Sequence, residues 1–315
     1  MIRQQVATLA KAWDLFWFAP ESTATLALVR IAFGLVMIAF TLSLTPDLTA
    51  LYSDVGVVPE QPRWVTPFTL LGFWDSPLEV TALWLVMLVA SVCLTVGWWT
   101  RLAAFLVFVG LISFERRSPD TLNSGDVLLR LLALYLMLAP SGAALSLDRW
   151  RRHRDTFWQF PMRSRWPLRL IQVQVSAVYL SSVLYKSMSD EWTSGTAVGL
   201  ILRLVDLQRL VVPDAVTDQL LLVNLLTFGT LAIELALAVL IWNRRALPYV
   251  LAAGVALHLG IELTIVIGFF SAAIFVSYVA FIPSDVAERF ILALARRFGR
   301  APEPALTPVA LPQPD

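Results

Sequence analysis

The chain has 315 residues, 58% of them hydrophobic against roughly 45–50% in a soluble domain, so it reads as an integral membrane protein. A net charge of +1 leaves no basic surface for nucleic acid and no acidic tail. The single cysteine, Cys93, lies in an apolar run and excludes an intramolecular disulfide or a Cys-rich metal site.

The first 23 residues carry Lys11, Asp14 and Glu21 and no continuous apolar core, so no cleavable signal peptide is expected and the first span serves as the insertion signal. Trp13, Phe16, Trp17 and Phe18 beside those charges predict a helix over 5–18 lying in the membrane interface. A first span, 24–44, contains Arg30, a full charge one or two turns into the hydrocarbon that needs a partner or water. Residues 45–76 are polar and broken by Pro46, Pro59, Pro62 and Pro67, which predicts a loop with short structured pieces.

A second span, 77–98, and a third, 101–114, form a tight hairpin across Trp99 and Thr100. The third is short for a bilayer, so Glu115, Arg116 and Arg117 are expected to snorkel or the bilayer to thin. A fourth apolar run, 127–140, carries Asp126 and Arg130 one turn apart, a spacing that permits an internal ion pair. The arginine-rich segment 141–165 reads as an anchor on anionic lipid.

A fifth span, 166–185, ends at Lys186, and in the mixed stretch after it residues 197–212 suggest a surface helix. The sixth span, 220–242, carries Glu234, the seventh, 247–267, carries His258 and Glu262, and the eighth, 269–283, is short. An amphipathic helix over 285–300 and a disordered, proline-rich tail over 301–315 close the chain. The expectation is an all-α polytopic bundle of about eight transmembrane helices over 24–284, with extra amphipathic helices in the interface at 1–23 and 285–300.

With the amino terminus in the cytoplasm, the arginine clusters at 149–154, 163–165, 244–245 and 289–300 all fall inside. The outside then holds Arg63, Arg116, Arg117, Lys186, Arg203 and Arg209. This obeys the positive-inside rule, so the chain is expected in the plasma membrane with both termini cytoplasmic and Lys186 at the outer face. No internal repeat is evident, which disfavours a transporter.

Of the 24 basic residues only Lys11 and Lys186 are lysines. Arginine does not release its proton in a protein, whereas a desolvated lysine can fall from about 10.4 to about 5 to 6, so a position that must sometimes be neutral has to be lysine. Against this, Lys186 can simply mark a helix end, its amine snorkelling to the headgroups. His258 and Glu262, one turn apart, suit a proton relay or a hydrogen bond to a polar ligand; equally they suit a polar pair that glues helices. Arg30, Asp126, Arg130 and Glu234 can satisfy one another as two opposite-sign pairs. The two histidines, His153 and His258, and the lack of an HExxH or Cys-rich spacing argue against a metal.

The runs ALVRIAFG (27–34), YSDVGVVP (52–59), GWWTRLA (97–103), LNSGDVLLRLL (122–132), SLD (146–148), the 186–195 segment with Trp192 three before Gly195, and HLGIELTIVIGFF (258–270) occur in this order. Together they resemble the HTTM domain, the membrane domain shared with vitamin K-dependent gamma-carboxylase. In that enzyme a lysine at the lumenal membrane face is thought to deprotonate vitamin K hydroquinone. The resemblance implies the same role for Lys186, and a matching histidine in His258, ten residues before Gly268. This chain has no histidine in 123–126 and stops after the membrane domain, so the resemblance does not extend to peptide gamma-carboxylation.

The expected site is an outward-facing polar cavity with Lys186 as base and with His258, Glu262, Arg30, Asp126, Arg130 and Trp192 binding the ligand. The expected substrate is a reduced, lipid-soluble quinone or a small peptide, and no metal is called for. The alternative is a non-catalytic membrane factor that helps mature or export a toxin-like peptide, or that supports a partner redox enzyme.

Overall fold

The computed structural model describes residues 2–57 and 69–299. Its helices, in chain order, are α1 (Ile2–Phe18), α2 (Ala24–Ser43), α3 (Leu48–Tyr52), α4 (Pro77–Val96), α5 (Thr100–Arg117), α6 (Ser124–Leu138), α7 (Leu147–Arg152), α8 (Trp166–Lys186), α9 (Asp190–Thr193), α10 (Ala197–Ile201), α11 (Asp214–Thr217), α12 (Leu220–Val239), α13 (Leu247–Thr264), α14 (Phe270–Val279) and α15 (Ser284–Arg297). Two three-residue strands, β1 (Pro20–Ser22) and β2 (Met162–Ser164), pair antiparallel and pin the entry of α2 to the entry of α8. Parts of two expectations, the loop over 58–68 and the tail over 301–315, lie outside the described residues.

All eight expected spans form helices. Among the described residues, five stretches are long and apolar enough to cross a membrane: Ala24–Tyr52, Pro77–Val96, Trp166–Lys186, Leu220–Trp242 and Leu247–Thr264. A bent pair, α14 followed by α15 at 97°, makes six if it is taken as one span. α5 fails on charge, since Arg101, Glu115, Arg116 and Arg117 sit on it. α6 and α14, at 15 and 10 residues, reach only about 22 and 15 Å. They can be short because they are packed inside the bundle, α6 against α5 and α8, and α14 against α2 and α6. Leu129, Leu132 and Leu136 of α6 are fully buried against the same core as Phe33 and Met37 of α2. The outer faces stay apolar, as Leu85, Val89 and Val92 on α4 and Leu221 and Leu225 on α12 illustrate, which is what a lipid solvent requires.

Several expected charge arrangements are replaced. Glu115 and Arg117 do not snorkel: Arg117 is 1% exposed, donates to the Ser53 carbonyl at 2.8 Å and lies 3.5 Å from Asp75, while Glu115 binds Arg130. The Asp126–Arg130 pair therefore does not form. Asp126 instead accepts the Asn123 N–H at 3.0 Å while the Asn123 side chain accepts two N–H groups in return, a capping box at the start of α6. The surface helix expected over 197–212 ends at Ile201, because the chain turns and lays Gln208 and Arg209 along the end of α13, with the Arg209 N–H on the Thr264 carbonyl at 2.9 Å.

Arg30 finds neither a carboxylate nor the expected cavity. Its guanidinium is fully buried and donates to the carbonyls of Ser141 (3.0 Å), Ala144 (3.1 Å) and Leu145 (2.6 Å). Gly97 makes room for it. At φ +74° this glycine ends α4, and a Cβ there would stand 2.4 Å from the Ser146 Cβ and 2.8 Å from the Arg30 Nη1. Asp148, just beyond, accepts the N–H groups of Trp99 (3.0 Å) and Thr100 (3.1 Å) and the Thr100 hydroxyl (2.9 Å), so it closes the open N-terminus of α5 from across the turn.

Two predictions follow from this junction. Arg30→Met leaves three buried carbonyls without donors and should destabilise the protein by about 3 kcal/mol or more, read as thermal unfolding in detergent. For Asp148, burial pushes the carboxyl up, but the hydrogen bonds from Thr100 and Trp99 and the charge of Arg152 outweigh it and hold the group below the usual carboxylate range. A folded value below the unfolded one gives stability that is complete above about pH 4 and is lost as pH falls through the folded value. Asp148→Asn should therefore flatten the acid side of a pH–stability curve measured over about pH 2 to 5.

Candidate functional site

α8 is 21 residues long, about 30 Å, and Lys186 is its last residue, at the end away from the β1–β2 pair. Seven residues earlier, on the same face, stands Tyr179. Both line an open chamber of about 750 Å³ walled by α6, α8, α12 and α13 and by the 265–268 turn. That turn is fixed by Gly268, at φ +63°, where a Cβ would meet the Asn123 side chain at 2.8 Å.

Two polar groups converge in the chamber. The Lys186 Nζ lies 2.5 Å from the Glu234 Oε1, and Ser182 donates to the other carboxylate oxygen at 3.1 Å. Glu234 is almost fully buried on α12, so the lysine is held by an ion pair at a protein wall. The second group is a hydrogen-bonded chain: the His258 Nε2 meets the Tyr179 Oη at 2.7 Å, which meets the Tyr278 Oη at 2.5 Å. His258 is 2% exposed, is ringed by Phe270, Phe275 and Tyr278, and has no partner at Nδ1. Trp192 covers Lys186 with its ring centroid 4.5 Å from the ammonium. It belongs to a second, mainly apolar cavity of about 560 Å³ between α12 and α13, which shares Lys186, Ile261 and Ile265 with the first.

Of the seven residues expected at the site, the fold brings together Lys186, His258 and Trp192. Glu262 does not join them. One turn beyond His258 it points to the 205–210 segment and pairs with Arg209 at 2.7 Å, at the surface. Asp126 caps α6, Arg130 pairs with Glu115, and Arg30 holds the 141–145 carbonyls, all outside the chamber lining. The missing member is Glu234. It was visible in the sequence as a carboxylate in mid-span, but its partner lies 48 residues away and no local spacing connects them. Tyr179 and Tyr278 gave no signal beyond being aromatic residues in apolar runs.

Six of the seven quoted sequence runs thus fall into two knots; the seventh, YSDVGVVP, runs partly outside the described residues. ALVRIAFG, GWWTRLA and SLD meet at Arg30, while LNSGDVLLRLL, the 186–195 segment and HLGIELTIVIGFF border the chamber or cover Lys186. A family model for the HTTM domain matches residues 18–285. The chain belongs to the HTTM family. Comparison with curated proteins and with solved structures found no match. This HTTM domain accounts for α2 to α14 with both knots. No group of His, Cys, Asp and Glu among the described residues of the HTTM chain has the arrangement of a metal site.

Tyr179→Phe would take from His258 its one hydrogen bond and leave a buried imidazole with neither nitrogen partnered, at a cost of about 1–3 kcal/mol. In a double-mutant cycle of thermal unfolding, Tyr179→Phe combined with His258→Phe should cost less than the sum of the single changes.

Proposed function

We propose that this HTTM protein binds a lipid-soluble hydroquinone in the chamber and takes up its hydroxyl proton on the Lys186–Glu234 pair, as the opening step of a quinol oxygenation. The observation that supports it most is that pair: a lysine and a carboxylate 2.5 Å apart in the wall of a chamber of about 750 Å³ whose other polar groups include Tyr179 and His258. A volume in this range suits a small-molecule site. The apolar cavity on the far side of Lys186 offers room for an isoprenoid tail.

Within the pair, Lys186 hands its proton to Glu234 and presents a neutral amine to the ligand hydroxyl; the electron pair stays on the ligand oxygen, which then faces an ammonium. Tyr179, aligned by His258 and Tyr278, donates to a ring oxygen. Dioxygen is the oxidant, and the sum is hydroquinone plus dioxygen to quinone epoxide plus water. An arginine at 186 would keep the charge but could not supply the amine.

A second reading, a non-catalytic factor for a peptide or for a redox partner, draws support from the same contact, since Glu234 already neutralises Lys186 and Trp192 covers it.

Oxygen uptake and quinone product analysis on purified protein with vitamin K hydroquinone separate the two readings. The enzyme reading expects epoxide from the wild type and a loss of about 100-fold or more in Lys186→Arg, as complete as in Lys186→Ala. Activity retained by Lys186→Arg would overturn the base role. An absence of turnover across several quinols would favour the binding factor.

A further inference from the structure

At the other end of α8 the bundle holds a second charged site, unconnected with the chamber. A cleft of about 340 Å³ lies where the starts of α8, α13 and α15 meet, with Arg165, Arg169 and Arg244 in its walls. Arg169 is half-buried and rigidly held. It donates from Nε to the Phe16 carbonyl at 3.2 Å and from Nη1 to the Gln172 side chain at 2.8 Å. Its guanidinium carbon lies 4.7 Å from the Phe16 ring centroid and 5.6 Å from that of Trp242.

No carboxylate among the described residues is paired with Arg169 or Arg244. Arg165 and Arg244 are close enough to Arg169 to add their fields to its own. One carboxylate, Glu21, offsets part of this field, acting on Arg169 and standing 3.9 Å from the Arg165 Nε, which is buried and has no hydrogen-bond partner, while Asp285 is engaged by Arg289 at 2.9 Å. Three helices of 21, 18 and 14 residues present their N-terminal ends here, adding the positive poles of their dipoles.

A half-buried guanidinium without a paired carboxylate, that of Arg169, is costly, and forked donors beside helix N-termini suit the oxygens of a phosphate. The cleft also sits where membrane interface is expected. Trp242 lines it with Phe16 packed behind, and the neighbouring helices α1 and α15 leave Trp13, Leu9, Phe290 and Leu294 uncovered. We propose that this cleft binds the phosphate of an anionic phospholipid, with Arg169 as the fixed floor of the site and Arg165 and Arg244 closing over the headgroup.

The test is native mass spectrometry and thermal unfolding of the full chain, purified in neutral detergent, with dioleoyl phosphatidylglycerol, dioleoyl phosphatidylcholine or inorganic phosphate added. The expected result is that phosphatidylglycerol is retained and stabilises the protein, whereas phosphatidylcholine does neither. Arg244→Gln, at an exposed position that carries no packing, should weaken retention about fivefold, and Arg169→Gln at least as much. Arg101→Gln, at an exposed position outside the cleft, should leave retention unchanged.

Equal retention of the two lipids, or wild-type retention by Arg244→Gln, would overturn the proposal. So would an equal loss in Arg101→Gln, which would reduce the effect to general surface charge. Stabilisation by inorganic phosphate that matches phosphatidylglycerol would assign the cleft to free phosphate and overturn the lipid assignment.

Discussion

A guanidinium with three carbonyl acceptors and no bound carboxylate, that of Arg30, joins α2 to the segment between α6 and α7. Arg30 is buried away from solvent, so the charge and the irregular backbone depend on each other: the arginine needs acceptors, and the non-helical carbonyls of 141–145 need donors. The ends of α4 and α5 are set by the same contact, because Gly97 abuts Arg30 and Asp148 closes α5. The relative placement of four helices thus rests on one side chain, and α6 and α14 can pack as short inner helices in the frame it fixes.

The chamber uses the opposite arrangement. Lys186 and Glu234 form a direct charge pair joining α8 to α12, and Tyr179, His258 and Tyr278 join α8, α13 and α14 through hydrogen bonds. Arg30 is enclosed on every side and has only structural work available to it, whereas the Lys186–Glu234 pair borders open volume on two sides. That difference in surroundings, and not the cost of a buried charge as such, separates a packing element from a candidate site.

The helices were legible in the sequence because apolar runs and their polar ends are local signals: the expected fifth span, 166–185, and the helix Trp166–Lys186 differ by one residue. Lys186 and His258 were legible for a related reason, a rare residue type in a run that otherwise excludes it. Pairings were not. One-turn spacing suggested Asp126 with Arg130 and His258 with Glu262, and tertiary contacts override both, with Glu115 and Arg209 as the partners actually used. Within a helix the i,i+4 term amounts to only about 0.2–0.5 kcal/mol, less than the gain from a buried partner on a neighbouring helix. Glu234 illustrates the limit, since its role depends on which helices are neighbours, and no periodicity within one span encodes that.

The Arg30 contact also bears on the order of events during synthesis. The acceptors for its guanidinium lie 111 residues or more further along the chain. At about 5–20 residues per second, they emerge roughly 5–20 s after α2 has left the ribosome. Through that interval α2 carries an unsatisfied charge that disfavours free residence in the hydrocarbon by about 2.5–3.5 kcal/mol. The Arg30 contact, and with it the junction of α2 with the segment after α6, is thus a late step, formed only once the 141–145 carbonyls have been made.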